Sequence, residues 1–146
     1  MRVFVLQFIK GQWKSGERAI LRSLPGVDLE VTGRGFTIDG LRDPRIPMDD
    51  HAAAAALGWQ RAVEVVSSGE YDVVVLDEIL GAISAALVPL EDVLEVVTSK
   101  PRHVHLVLTG RNAPPALVER ADLVSEVRPI KHPFERGIKA QRGIEF

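Results

Sequence analysis

The chain has 146 residues, enough for one domain with a real core, and its 46% hydrophobic and 26% charged content suits a globular protein. A formal net charge of -2 gives no argument for nucleic acid or an anionic membrane as a partner. With no cysteine, a disulfide frame and a thiolate metal site are excluded, and no apolar run reaches the ~18 residues that span a bilayer.

The opening MRVFVLQFIK alternates like a strand and lacks the basic flank and cleavage site of a signal peptide. A cytoplasmic location and a single domain over 1–146 are therefore expected. Residues 2–9, RVFVLQFI, predict a first strand, ended by the loop KGQWKSGE. Residues 17–24 suit a short helix stopped by Pro25-Gly26, and VDLEV at 27–31 is a short strand. TGRGFTIDGLRDPRIP, 32–47, is a long glycine- and proline-rich loop, a length that usually marks function or mobility. Asp49 and Asp50 precede the helical run HAAAAALGWQRAVEVVSS, where acids complement the helix dipole and either aspartate can cap it; Gly69 ends it. YDVVVLDE is a third strand. PLEDVLEVVTSK, 89–100, is an amphipathic helix with Pro89 in its first turn and Pro101 beyond its end. HVHLVLTG, 103–110, predicts a strand, APPALVERA, 113–121, a short helix, and DLVSEVRPI, 122–130, a last strand. The tail is basic, with Lys131, Arg136, Lys139 and Arg142 set against Glu135 and Glu145.

Strands alternating with helices predict an α/β fold with a mainly parallel sheet of about five strands. The runs VVVL and HLVL fit strands covered on both faces. Ligands of such sheets bind at the carboxyl ends of strands. Lys10-Gly11, Asp77-Glu78, Thr109 to Arg111 and Arg128 to His132 all follow predicted strands, so they can share one rim.

A carboxylate at a strand end, as at Asp77-Glu78, can bind Mg²⁺ or orient a nucleophile, although a strand can also simply end on polar residues. Arg111 in TGR can set a planar, permanently charged fork on phosphate oxygens, or it can decorate a polar turn. His103 and His105 stand two apart and would face one side of a strand; without a third ligand they read as solvated or hydrogen-bonded. The alanine run 52–56 is helix propensity, and Trp59 reads as core. Phe36, in a glycine-rich loop, can anchor that loop or present a face to a flat ligand. Arg128, Lys131 and Lys139 can clamp an anion or remain solvated. A phosphate-cradling G-x-x-x-x-G-K-[ST] is absent, because none of the twelve glycines is followed by lysine.

Together the stretches VLQFIKGQWKSGE, TGRGFT, YDVVVLDE, LTGRNAP, ADLVSEVRPIKHPF and GIKAQRGIEF resemble the ATP:corrinoid adenosyltransferases of the P-loop type. They stand in that family's order and spacing and cover nearly the whole chain. The resemblance implies a RecA-like P-loop NTPase-type three-layer sandwich, mainly parallel, with the first (P-loop) strand missing. It implies transfer of the 5′-deoxyadenosyl group of ATP to the cobalt of a reduced cob(I) corrinoid, with release of triphosphate, in adenosylcobalamin biosynthesis or salvage. It places Glu78, beside Asp77, near Mg²⁺, and Phe36 against the lower corrin face. Lys10, Arg111, Lys131 and His132 fall on family positions that suit rim positioning or anion contacts. A homodimer and a flavoprotein reductant are partners that the resemblance brings with it.

Three departures accompany the resemblance. The family's strand and G-x-x-x-x-G-K-T-T loop are not found before the QFIKG strand. Ile38 stands where the family often has tryptophan. Ile79-Leu80-Gly81 replaces a pattern with Asn or Thr followed by Tyr. Two readings follow: Met1 is an internal methionine of a longer adenosyltransferase, or the chain is a P-loop-less relative that binds a corrinoid or a partner subunit without catalysis.

Overall fold

The computed structural model describes residues 1–8, 16–33, 45–139 and 141. The elements in chain order are β1 (Val3–Gln7), α1 (Gly16–Ser23), β2 (Val27–Val31), α2 (Met48–Ser68), β3 (Val73–Asp77), α3 (Ile79–Ser84), α4 (Leu90–Ser99), β4 (His105–Leu108), α5 (Pro115–Arg120) and a 3₁₀ turn (Pro133–Arg136). The four strands form one sheet in the order β2-β1-β3-β4, with every pair parallel. This is the α/β architecture that the alternation predicts.

Side-chain alternation divides the sheet into two faces. Phe4, Leu6, Val74 and Leu76 point to one face and are fully buried with Ala62, Val65, Val66, Val93 and Val96 of α2 and α4. Trp59 packs partly buried against this cluster, as predicted. Gly58 lets α2 approach the sheet, since a Cβ there would lie 2.5 Å from the Thr32 hydroxyl and 3.3 Å from the Phe8 ring. Arg61 of α2 crosses to the sheet edge, its Nε and Nη2 donating to Glu30 of β2 at 2.9 to 3.1 Å. The opposite face carries Val5, Gln7, Val73, Val75, Asp77, His105 and Val107. There α1 covers β1 and β2, with Arg18 reaching Gln7. The placement follows from right-handed crossovers: β1 to β2 and β2 to β3 move in opposite directions across the sheet, so α1 and α2 lie on opposite sides.

The second face does not receive the cover predicted for β3 and β4. Val73 and Val75 are half-buried, and Val107 is 42% exposed, because no helix among the described residues lies over them. Among the described residues the outer edge of β4 is also unpaired. His105 N–H donates to Asp72 and Thr109 N–H to Leu76. The backbone of 105, 107 and 109 therefore faces β3, and that of Leu106 and Leu108 faces away.

The predicted strand at 122–130 does not form. Its apolar residues stand at 123, 124, 127 and 130, a spacing that does not alternate, and none of the four strands pairs with it. Leu123, Val127 and Ile130 are at least 85% exposed. Helix α2 also begins earlier than predicted, with Pro47 at its N-cap and no side-chain cap; Asp49 and Asp50 then lie within the first turn, where they still complement the dipole. Pro89 is likewise the N-cap of α4, not a first-turn residue. Helix α3 has no counterpart in the predicted elements. No helix among the described residues is long and apolar enough to cross a membrane.

Candidate active site at the carboxyl rim of the sheet

The parallel register sets Gln7, the last residue of β1, directly opposite Asp77, the last residue of β3. The half-buried Asp77 carboxylate accepts at both oxygens. Thr109 Oγ1 donates to Oδ1 at 2.9 Å, and Gln7 Nε2 donates to Oδ2 at 3.1 Å. Gln7 Oε1 in turn accepts from Arg18 Nε at 2.7 Å. Glu78 follows at a sharp corner with φ 63° and ψ 22°, the left-handed region. A glutamate there costs roughly 1–2 kcal/mol of backbone strain. Its N–H donates to Thr109 Oγ1 at 3.0 Å, so the hydroxyl that holds Asp77 also holds the corner. The Glu78 carboxylate makes no hydrogen bond or ion pair with the described residues.

Thr109-Gly110-Arg111 leaves β4 beside this corner. Leu80 N–H donates to the Thr109 carbonyl at 3.2 Å. Gly110 has φ 136°, and a Cβ there would lie 2.7 Å from the Leu80 Cβ. Arg111 is exposed one residue further on.

The structure thus brings Asp77, Glu78 and Arg111 to one rim. Lys10 and Phe36 lie outside the described residues, as does Ile38. Arg128 to His132 do not follow a strand, because 122–130 pairs with none of the described strands, and Lys131 and His132 are exposed. His132 Nδ1 accepts from Phe134 N–H at 3.1 Å and caps the 3₁₀ turn. Ile79 and Leu80 are buried in the core, so the residues after Asp77-Glu78 serve packing. The histidines do not form a metal pair: His103 precedes β4 with a ring nitrogen 2.9 Å from the Gly69 carbonyl, while His105 stands exposed on the strand.

No group of three or more histidine, cysteine or acidic side chains that could hold a metal occurs among the described residues. The Glu78 carboxylate, beside an Asp77 whose two oxygens are engaged, still fits Mg²⁺, which can take a single carboxylate and complete its shell with phosphate and water. Sequence reasoning missed Gln7 and Arg18. The available signal was a glutamine breaking the apolar run VFVLQF at its carboxyl end, where a buried amide needs partners.

The family described as ATP:corrinoid adenosyltransferase BtuR/CobO/CobP matches residues 1–146. A corrinoid adenosyltransferase of Escherichia coli (strain K12) is 37% identical over 145 residues, covering 99% of this chain and 71% of that protein. Corrinoid adenosyltransferase CobA of Salmonella typhimurium is 38% identical over 144 residues, covering 99% and 70%. A corrinoid adenosyltransferase of Pseudomonas aeruginosa is 39% identical over 147 residues, covering 100% and 70%. A match of this extent, over a parallel sheet with its acidic pair on the carboxyl rim, shows that the chain belongs to the ATP:corrinoid adenosyltransferase family.

Proposed function

We propose that the protein transfers the 5′-deoxyadenosyl group of ATP to the cobalt of a reduced corrinoid, with Glu78 as the residue nearest the nucleotide's metal. Family membership supports the reaction class. The observation that carries the role of Glu78 is the contrast between two adjacent acids. Asp77 has both oxygens engaged by Thr109 and Gln7, whereas the Glu78 carboxylate has no partner among the described residues.

The reaction needs little acid-base chemistry. The cobalt electron pair forms the bond to carbon 5′, the carbon–oxygen bond breaks, and its electrons leave on triphosphate. The protein's task is to align the partners and to stabilise that leaving charge. Mg²⁺, where bound, neutralises phosphate charge. Arg111 suits the same anion, and Asp77 orients the rim without taking part directly. Phe36, Lys10, Lys131 and His132 are assigned to corrinoid or anion contacts by the resemblance alone. A homodimer and a flavoprotein that reduces the cobalt belong to the same proposal.

The test mixes protein, Mg-ATP and chemically reduced cob(I)alamin, and follows adenosylcobalamin by its light-sensitive spectrum and triphosphate by chromatography. Both products should appear in equal amounts, and Glu78→Gln should lower kcat/KM on the order of 100-fold. A corrinoid spectral change without triphosphate would replace this proposal with corrinoid binding alone.

A further inference from the structure

We propose that Gln7 and Arg18, acting through Asp77 and Thr109, are positioning residues that hold Glu78 in its left-handed corner. This rests on the reading of Glu78 given above. The argument begins with donors and acceptors. A guanidinium can only donate, so the Gln7 carbonyl oxygen must face Arg18 Nε. That leaves the Gln7 NH₂ for the Asp77 carboxylate, which can only accept. Thr109 has one hydroxyl proton. It goes to Asp77 Oδ1, and the oxygen's lone pairs remain for Glu78 N–H. Each bond fixes the direction of the next, and the series ends on the backbone of Glu78.

Burial makes these directions costly to reverse. Gln7 is 3% exposed and Arg18 7% exposed, and a buried polar group deprived of its partner is destabilised by about 1–3 kcal/mol. Simple satisfaction of buried polar atoms would not require the series to end at the one strained residue of the rim's acidic pair. The four contributing segments, α1, β1, the end of β3 and the residue after β4, are also separate in the chain. The first turn of α3 holds the Glu78 carbonyl, which accepts from Gly81 and Ala82 N–H, and the series holds its N–H, so together they keep an unfavourable backbone angle in place.

The experiment uses the whole chain with Mn²⁺ as the probe for the metal, titrated with ATP present and read by electron paramagnetic resonance. Gln7→Met keeps volume and removes both amide bonds. Thr109→Val removes the hydroxyl, and Thr109→Ser restores it. Circular dichroism and urea midpoints establish that each variant is folded. We expect Gln7→Met and Thr109→Val to weaken Mn²⁺–ATP binding roughly 10- to 100-fold and Thr109→Ser to bind within a few-fold of wild type. Should Thr109→Val fail to fold, Gln7→Met and Thr109→Ser carry the comparison. If Glu78→Gln loses the metal while folded Gln7→Met binds as wild type does, the positioning role is wrong and the reading of Glu78 survives. If wild type and Glu78→Gln behave alike, the reading of Glu78 falls and the positioning role with it.

Discussion

Gly110 meets two constraints at once, a φ of 136° that side chains rarely adopt and a Leu80 Cβ that would sit 2.7 Å from any added Cβ. Gly110→Ala should therefore destabilise the fold by about 1–3 kcal/mol and loosen Thr109 against α3. Urea denaturation would measure the first effect; a midpoint equal to wild type would refute it. Tyr71 makes a separate prediction at the opposite end of the sheet. It is buried, donates to Asp28 Oδ2 at 2.8 Å, and lies under the Arg2 guanidinium at 4.6 Å from the ring centroid. Burial first, and then the hydrogen bond to Asp28, push its phenol above the ordinary value. The protonated phenol is thus favoured in the fold. Its contribution is whole below about pH 10 and is lost as pH rises through the raised folded value. Above that pH the thermal midpoint of wild type should fall more steeply than that of Tyr71→Phe, while the variant is less stable at neutral pH by about 1 kcal/mol. Parallel curves would show that Tyr71 is not the group responsible.

At the scale of elements, β1, β2, β3 and α2 were legible because their signals are local. A short β-branched run that ends near a glycine, or the helical run 51–68 closed by Gly69, needs little from the rest of the chain. Residues 122–130 were misread for the complementary reason. A strand's hydrogen bonds belong to its neighbour, and β-propensity says nothing of whether a neighbour is present. Helix α3 was hidden because six residues after a left-handed corner carry no periodic pattern. The site divides in the same way. Asp77 and Glu78 announce themselves as acids at a strand end, and Arg111 as a cation in a turn. The link from Arg18 through Gln7 to Asp77 depends on the register that sets Gln7 opposite Asp77, which no local pattern encodes.

At the scale of the molecule, charge and exposure are unevenly placed. The outer strand β2 carries Asp28 and Glu30, which Arg2 and Arg61 engage, and edge charges of this kind discourage further pairing. The other outer strand, β4, offers the backbone of Leu106 and Leu108 and the exposed Val107. In hydrogen exchange the Val107 amide should be protected and those of Leu106 and Leu108 should exchange quickly. Protection at all three would mean that another strand occupies that edge in solution.

The facing of Gln7 and Asp77 in register has one more consequence. Sliding β1 by a single position would turn Gln7 toward the apolar side and Leu6 toward the rim. The helices could persist through such an error, so far-ultraviolet spectra would barely record it. The metal–nucleotide binding proposed for Glu78 would be lost. One insertion or deletion inside β1 should therefore separate secondary structure from function, which makes this rim a gauge of whether the chain has folded with its strands correctly aligned.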